Sequence, residues 1–283
     1  MLVPMKELLL EGQKRTYAVP AFNFYNHPSV DGIVEEAEER QSPVILMVSG
    51  RYVRAMGLRH ASVLGLQAAE KVKTPVALLL DHGDSRELAE SCIGAGFTSV
   101  MIDGSRLPID ENTAVTRGVV AMAHAKGVTV EAELGAVGGI EDAVFGEGEE
   151  SRLVLIDPDQ AADFVAATGV DCLAPAIGNV HGITKQQPRL DLDLLRRVRA
   201  AVDVPLVLHG GSGLSDSIVR EIIAIGVSKF NVGSEIKRAW RDGLAEYFSS
   251  GKYEPRLAND AAKAAVRSVV AHKIDLAGSA GKA

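Results

Sequence analysis

Residues 75–83 read PVALLLDHG, and this stretch contains the pattern that decides the fold. A proline precedes a run of apolar residues that is too short for a helix and fits a strand buried on both faces. Such strands are typical of parallel sheets that are covered by helices. An aspartate and a histidine follow at once, at the point where the strand is predicted to end.

Similar short apolar runs recur along the whole chain. Together with the first they cover residues 17–22, 44–48, 76–80, 99–102, 129–133, 171–176, 206–208 and 229–232. Their spacing leaves room for crossover helices, so eight strand–helix units predict an α/β protein, a (β/α)8 TIM barrel formed by residues 1–283 as a single domain. An open doubly wound sheet is the alternative. That fold should carry a glycine-rich turn after its first strand, where residues 23–26 read NFYN.

Composition and charge argue against several classes of protein. The 283 residues are 47% hydrophobic and 24% charged, which is ordinary for a globular chain. A net charge of −7 without a basic stripe argues against a nucleic-acid partner. No apolar run reaches the roughly 18 residues of a membrane span. The only cysteines, Cys92 and Cys172, predict a reduced, cytoplasmic setting.

Polar side chains stand at or just past the end of nearly every predicted strand. They are Asn23, Ser49, Asp81, His82, Asp103, Glu133, Asn179, His181, His209 and Asn231. The active site of a barrel enzyme lies at the C-terminal ends of its strands. Polar residues in this common register therefore predict one catalytic site.

Three of the seven histidines, His82, His181 and His209, follow the third, sixth and seventh strands. A lone histidine is more often structural, but three at one barrel mouth favour a metal site. Three histidine ligands with an open fourth position are an established catalytic zinc arrangement. Glu131 and Glu133 are two residues apart and share a face of their strand. We expect Glu133, nearer the mouth, to lie near or on the metal, and Glu131 to be structural.

Two aspartates add to this site. Asp103 is able to cap a helix, but its position at a strand end favours contact with substrate or metal. Asp81 directly precedes His82, which makes it the best candidate for a general acid/base.

Glycine-rich turns follow the last two strands. Residues 209–213 read HGGSG and residues 231–234 read NVGS. Many barrels bind phosphate with the loops after strands seven and eight, so the turns favour a phosphorylated substrate. Lys185, in the loop after strand six, would add a positive charge. The two long loops, residues 135–157 and 178–190, are predicted to be lids.

Taken together, these motifs resemble the class II, metal-dependent ketose-bisphosphate aldolases, the family of fructose- and tagatose-1,6-bisphosphate aldolases. The resemblance covers nearly the whole chain. It rests on residues 20–23 (PAFN), 80–83 (LDHG), 101–105 (MIDGS), 131–135 (EAELG), 177–182 (IGNVHG), 208–213 (LHGGSG) and 229–232 (KFNV).

The resemblance implies a role for each site residue. Zinc would be held by His82, His181 and His209, with Glu133 and Asp103 near an alternative metal position. Asp81 would be the acid/base at the C4 hydroxyl, and Glu141 on a mobile loop would transfer a second proton. The enediolate would be stabilised by Asn23, Ser49 and Asn231. The phosphate nearest the ketone would be held by Gly182, Lys185, Gly210, Gly211, Ser212 and Ser234, with a sodium or potassium ion beside it.

Arg256 lies in residues 249–260, a segment rich in glycine, proline and charge. It matches an arginine that reaches a neighbouring subunit's site and binds the distal phosphate. The resemblance therefore implies a homodimer or homotetramer.

The expected activity is zinc-dependent, reversible cleavage of a ketose 1,6-bisphosphate to dihydroxyacetone phosphate and glyceraldehyde 3-phosphate. Two alternatives stay open: an aldolase that forms a Schiff base with lysine, and a catalytically silent phosphosugar-binding barrel. Asp81 and Glu141 argue against the silent barrel, because a protein that only binds needs neither. Gly233 and Ser234 replace the Asp-Thr of many fructose-specific members and are closer to the Ala-Thr of the tagatose type.

Overall fold

Eight parallel strands close into a barrel in chain order. In the computed structural model, which describes residues 1–139, 153–183 and 188–283, the strands are β1 (Val19–Asn23), β2 (Val44–Ser49), β3 (Val76–Gly83), β4 (Ser99–Ile102), β5 (Thr129–Leu134), β6 (Cys172–Pro175), β7 (Leu206–Leu208) and β8 (Val227–Val232). Each overlaps a strand predicted from the sequence, so the prediction of a (β/α)8 barrel is confirmed.

Helices surround the barrel. They are α1 (Met5–Arg15), α2 (His27–Glu39), α3 (Gly50–Met56), α4 (Leu58–Glu70), α5 (Arg86–Gly94), α6 (Ile109–His124), α7 (Pro158–Thr168), α8 (Leu192–Ala201), α9 (Asp216–Ile225), α10 (Ser234–Ser249) and α11 (Pro255–Ala277). Within the described ranges, no helix has both the length and the apolar character that crossing a membrane would require.

The strands separate two apolar cores, because successive side chains of a strand point to opposite faces. In β2, Leu46 packs against the helices, whereas Met47 faces the barrel interior. Helix α1 closes the N-terminal end of that interior, where Met5 and Leu9 are fully buried. The backbone N–H of Met5 also donates to Ser99 Oγ, 3.1 Å away at the start of β4. Helix α1 therefore covers the N-terminal end of the interior, opposite the end where the polar strand-end residues lie.

Strand β3 is irregular where the polar site begins. Between its pairings with Val100 and Ile102 of β4, β3 contains one residue more than β4, which is a β-bulge. At the bulge His82 has a φ of 43°, in the left-handed region that few residues other than glycine adopt. The bulge breaks the usual alternation, so the adjacent side chains of Asp81 and His82 both reach the barrel mouth.

Helix α11 is absent from the sequence prediction, which describes residues 249–260 only as a polar segment. The helix begins at Pro255, where Glu254 caps it by accepting from the N–H of Arg256. It packs along α2 and α10 and buries Val266 and Ile274 completely. The C-terminal part of the chain is thus held against the helices that follow β1 and β8.

Candidate active site

Four side chains from four different parts of the barrel converge at the mouth. His82 is the next-to-last residue of β3, Glu133 lies on β5, His181 follows β6 and His209 follows β7. One ligand atom from each lies within 4.8 Å of the others. The ring centroid of His82 lies 5.0 Å from that of His181 and 4.6 Å from that of His209. The structure thus brings together the three histidines and the glutamate that the sequence analysis selects as metal ligands.

The donor set fits a divalent metal ion. Burial, together with the neighbouring rings of His82 and His209, holds the pKa of His181 well below its usual value. A neutral imidazole offers a lone pair to a metal, whereas an imidazolium cannot. Three imidazoles and one carboxylate are ligands that zinc binds readily in proteins.

His209 is fully buried between two carboxylates. Its Nδ1 lies 2.8 Å from Glu133 Oε2, and its Nε2 lies 2.8 Å from Glu131 Oε1. Burial by itself lowers the pKa of this ring, but the two hydrogen bonds outweigh burial and raise the pKa to about 9. Because Glu133 belongs to the converging set, Nδ1 is the nitrogen that faces a metal, and Glu131 binds the far side of the ring.

Asp103 lies behind His82 rather than among the four converging ligand atoms. Its Oδ2 is 2.7 Å from His82 Nδ1, and its Oδ1 accepts from the backbone N–H and hydroxyl of Ser105. Burial pushes the pKa of the Asp103 carboxyl upward, but the bonds to His82 and Ser105 outweigh it and hold that pKa well below its usual range. In this arrangement Asp103 orients a candidate ligand.

Asp81 is fully buried beside the histidines. Asn23 Nδ2 of β1 donates to its Oδ2 at 2.8 Å, and Asn231 Nδ2 of β8 approaches its Oδ1 at 3.3 Å. Ser49 pairs with Asp81 in the β2–β3 register and accepts from the backbone N–H of Tyr52 at 3.4 Å. The strand-end residues Asn23, Ser49, Asp81 and Asn231 therefore occupy neighbouring positions, as the barrel register predicts.

A cavity opens next to these residues. Its lining includes seven of the predicted site residues, namely Asn23, His181, Gly182, Gly210, Ser212, Asn231 and Ser234. It also includes Tyr25, Gly233 and Lys237, which the sequence analysis does not assign to the site. The Nζ atom of Lys237 lies 4.9 Å from the centre of the Tyr25 ring, so one wall of the cavity carries a positive charge.

The loop after β7 needs glycine at a close backbone approach. Gly210 has a φ of 70°, and a Cβ atom at this position would overlap the carbonyl oxygen of Val180. The next N–H, from Gly211, donates to the carbonyl of Asn231 at 3.0 Å and ties this loop to the end of β8.

The first turn of α10 completes this wall. The carboxylate of Glu235 accepts from the backbone N–H of Gly213 at 2.6 Å, and the buried Lys273 of α11 donates to the same oxygen at 2.9 Å. Ser234 is the first residue of the helix. The unpaired N–H groups of a helix start attract anions, so the wall is suited to a phosphate group.

Three further predicted site residues remain. Glu141 and Lys185 fall outside the described residues. Arg256, near the start of α11, has a side chain that is 75% exposed and lies 3.7 Å from Asp260 of the same helix. It does not line the cavity of its own barrel.

Two buried residues of the site were not recognised from the sequence. The fully buried Lys229 of β8 donates to Glu131 Oε2 at 2.9 Å and to Asn231 Oδ1 at 2.8 Å. The sequence predicts a structural role for Glu131 and no role for Lys229. The available signal was spacing, because Lys229 and Asn231 are two apart and share a strand face, as Glu131 and Glu133 do.

Comparison with known proteins agrees with this geometry. Residues 3–282 match the family described as fructose-bisphosphate aldolase class-II. The chain is 43% identical over 287 residues to a fructose-bisphosphate aldolase of Geobacillus stearothermophilus, covering 100% of this chain and 99% of the relative. It is 39% identical, with the same coverage, to a fructose-bisphosphate aldolase of Staphylococcus aureus strain Mu50.

A solved structure supports the same relationship. The YdjI aldolase from Escherichia coli K12 superposes with a TM-score of 0.89 at 34% sequence identity, over 100% of both chains. The match of almost the whole chain to the family, together with these relatives, shows that this protein is a lyase that belongs to the class-II fructose-bisphosphate aldolase family.

Proposed function

We propose that the protein uses zinc to cleave a ketose 1,6-bisphosphate, fructose or tagatose, reversibly to dihydroxyacetone phosphate and glyceraldehyde 3-phosphate. The observation that carries the proposal is the convergence of His82, His181, His209 and Glu133 within 4.8 Å, beside a buried Asp81. This arrangement lies at the C-terminal end of a barrel, which is where barrel enzymes have their active sites.

The three histidines would hold the metal ion, and Glu133 would either join them or hold an alternative position of the ion. A bound zinc ion supplies positive charge that draws electrons from the ketone of the substrate. Glu131 and Asp103 would each hold the far nitrogen of a ligand ring, which keeps the lone pair of the other nitrogen directed at the metal.

Asp81 would act as the general base for cleavage. It accepts the proton of the C4 hydroxyl while the C3–C4 bond breaks, and the aldehyde leaves as glyceraldehyde 3-phosphate. The electron pair of the broken bond stays on the three-carbon fragment as an enediolate. The amides of Asn23 and Asn231 hold the Asp81 carboxylate in one orientation before the reaction, so little reorganisation is needed.

The enediolate must then gain a proton at C3. We assign this step to Glu141, on the basis of the family resemblance, and that residue lies outside the described ranges. Asn23, Ser49 and Asn231 would contact the fragment while the proton is transferred. In the synthetic direction the same groups act in reverse order.

The phosphate nearest the ketone would bind in the cavity that Gly182, Gly210, Ser212 and Ser234 line. Backbone N–H groups of the glycine-rich loops and of the start of α10 suit this anion. Lys185 and a sodium or potassium ion would add positive charge there. The distal phosphate would bind Arg256 of a neighbouring subunit, so we propose a homodimer or homotetramer.

We further propose that the chain is one catalytic domain that works in the cytoplasm. Both cysteines are buried free thiols, as expected in a reducing compartment.

Turnover of the two candidate sugars tests the substrate and the metal together. Fructose and tagatose 1,6-bisphosphates are offered separately to the purified enzyme, with and without a chelator, and glyceraldehyde 3-phosphate is measured. We expect cleavage of at least one sugar, loss of activity with chelator and recovery with added zinc. Chelator-resistant cleavage combined with trapping by borohydride would instead establish a lysine Schiff base.

Substitution of Asp81 tests the assigned base. Asp81→Asn should keep bound zinc and affinity for dihydroxyacetone phosphate but lose about 10²- to 10⁴-fold in turnover, which is typical for loss of an acid/base. Asp84→Asn is a suitable control, because that carboxylate is exposed and pairs with Arg54. Turnover of Asp81→Asn equal to that of the control would remove Asp81 from this role.

A further inference from the structure

Lys229 is a fully buried cation that no step of the proposed reaction uses. It lies on β8 and points into the barrel interior, between His209 and Asp81, which do take part. We infer that Lys229 is a positioning residue that joins the metal ligand His209 to the acid/base Asp81 through two separate hydrogen-bonded arms. The inference rests on the proposed function for the roles of His209 and Asp81.

The first arm runs through Glu131 to the metal ligand. Lys229 Nζ donates to Glu131 Oε2 at 2.9 Å, and Glu131 Oε1 lies 2.8 Å from His209 Nε2. All three side chains are completely buried. Because Oε2 of Glu131 is bound to the Lys229 ammonium, the oxygen that faces the His209 ring is Oε1. His209 must then donate from Nε2, which leaves Nδ1 to face the metal position beside Glu133.

The second arm runs through Asn231 to the acid/base. Lys229 Nζ donates to Asn231 Oδ1 at 2.8 Å. An ammonium group has donors and no acceptor, so Asn231 must present its oxygen to the lysine. The NH₂ end of the amide is thereby directed toward Asp81, whose Oδ1 is 3.3 Å from Asn231 Nδ2. A neutral side chain at position 229 would leave the amide free to turn its oxygen toward the Asp81 carboxylate.

Stability alone does not account for this lysine. Desolvation of a buried ion pair costs about as much as the attraction returns, and well-packed apolar residues of similar volume are often as stable or more so. The neighbouring interior positions Val19, Ala21 and Val207 show that the barrel accepts apolar side chains at this depth. A lysine that binds one oxygen of Glu131 and one of Asn231 fixes the orientation of both side chains, which apolar packing would not do.

The test is Lys229→Met, which keeps an unbranched side chain of nearly the same length and removes its charge. Zinc affinity is measured with the metal alone, by competition with a chromophoric chelator. We expect a loss of about 10- to 100-fold, the range typical when the partner of a ligand histidine is disturbed. With zinc saturating, kcat should also fall about 10-fold while KM changes little, because Asp81 is misdirected and the phosphate wall is intact.

A matched control is Lys273→Met. Lys273 is also a buried lysine with a carboxylate partner, Glu235, but it lies behind the phosphate wall. It should resemble Lys229→Met in its loss of thermal stability and keep the wild-type zinc affinity. Equal zinc affinities of Lys229→Met and Lys273→Met would overturn the inference. The effect on zinc would then not depend on the contacts of Lys229 with Glu131 and Asn231.

A double variant keeps the test usable if Lys229→Met does not fold. Removing both charges, in Lys229→Met/Glu131→Gln, leaves no uncompensated ion in the interior. Its zinc affinity should equal that of Glu131→Gln alone, which should itself be lower than wild type. A further loss in the double variant, or wild-type affinity in Glu131→Gln, would refute the Glu131 arm. Zinc binding is measured without substrate, so a failure of the proposed aldol cleavage would appear separately, as a wild-type enzyme without turnover.

Discussion

The raised pKa of His209 leads to a prediction about the stability of the metal-free protein. Hydrogen bonds with Glu131 and Glu133 raise the pKa of His209 to about 9, from a usual value of 6.5. A group whose pKa is raised on folding adds stability that is fully present below pH 6.5 and is lost as the pH rises through about 9. Removing the metal and raising the pH should therefore destabilise the fold.

The size of the effect follows from the shift. Each pKa unit corresponds to about 1.4 kcal/mol, so the raised pKa of His209 contributes about 3 kcal/mol at pH 6 and below. Most of this, about 2 kcal/mol, should disappear between pH 6 and 8.5. The raised pKa values of the Cys92 and Cys172 thiols affect stability mainly above that range.

The assay is urea unfolding of chelator-treated protein at several pH values between 6 and 8.5. The reference is His209→Asn, in which the titrating ring is absent, and the quantity of interest is the difference in pH dependence between the two proteins. Loading the wild type with zinc should abolish the decline, because the metal replaces the proton on Nδ1. Identical slopes for the metal-free wild type and His209→Asn would refute the reasoning.

Three further predictions concern the phosphate wall, the interior core and the subunit interface. Gly210→Ala should cost about 1–3 kcal/mol of stability and raise the KM for substrate, because the φ of 70° disfavours alanine and the carbonyl of Val180 leaves no room for a Cβ atom. An unchanged KM would show that the loop does not bind phosphate. Leu79→Ala should lower the free energy of unfolding by about 2–5 kcal/mol, since Leu79 is fully buried in the barrel interior. A smaller loss would mean that neighbouring side chains move in to fill the space that the leucine leaves. Arg256→Ala should raise the KM for the bisphosphate but spare binding of dihydroxyacetone phosphate, measured by calorimetry, and an active monomer with unchanged KM would contradict the proposed role.

Much of the candidate site could be read from the sequence because a barrel converts linear order into position. A residue at a strand end lies at the mouth whichever strand carries it, so His82, His181 and His209 meet although they are far apart in the chain. The buried partners were harder to recognise. Lys229 looks like an ordinary charged residue in a strand apart from its spacing to Asn231, and its contacts with Glu131 and Asn231 are what place it beside the site residues.

The sequence by itself predicted the barrel and the place of the candidate site, since short apolar strands, crossover helices and polar strand ends need only local spacing to be recognised. The tertiary structure decided which carboxylate holds which ring: Asp103 holds His82, and Glu131 holds His209. It also decided that Asp81 and its neighbour His82 both face the mouth. A regular strand would have sent them to opposite faces, and the register with β4 together with the left-handed backbone of His82 is what turns them to the same end.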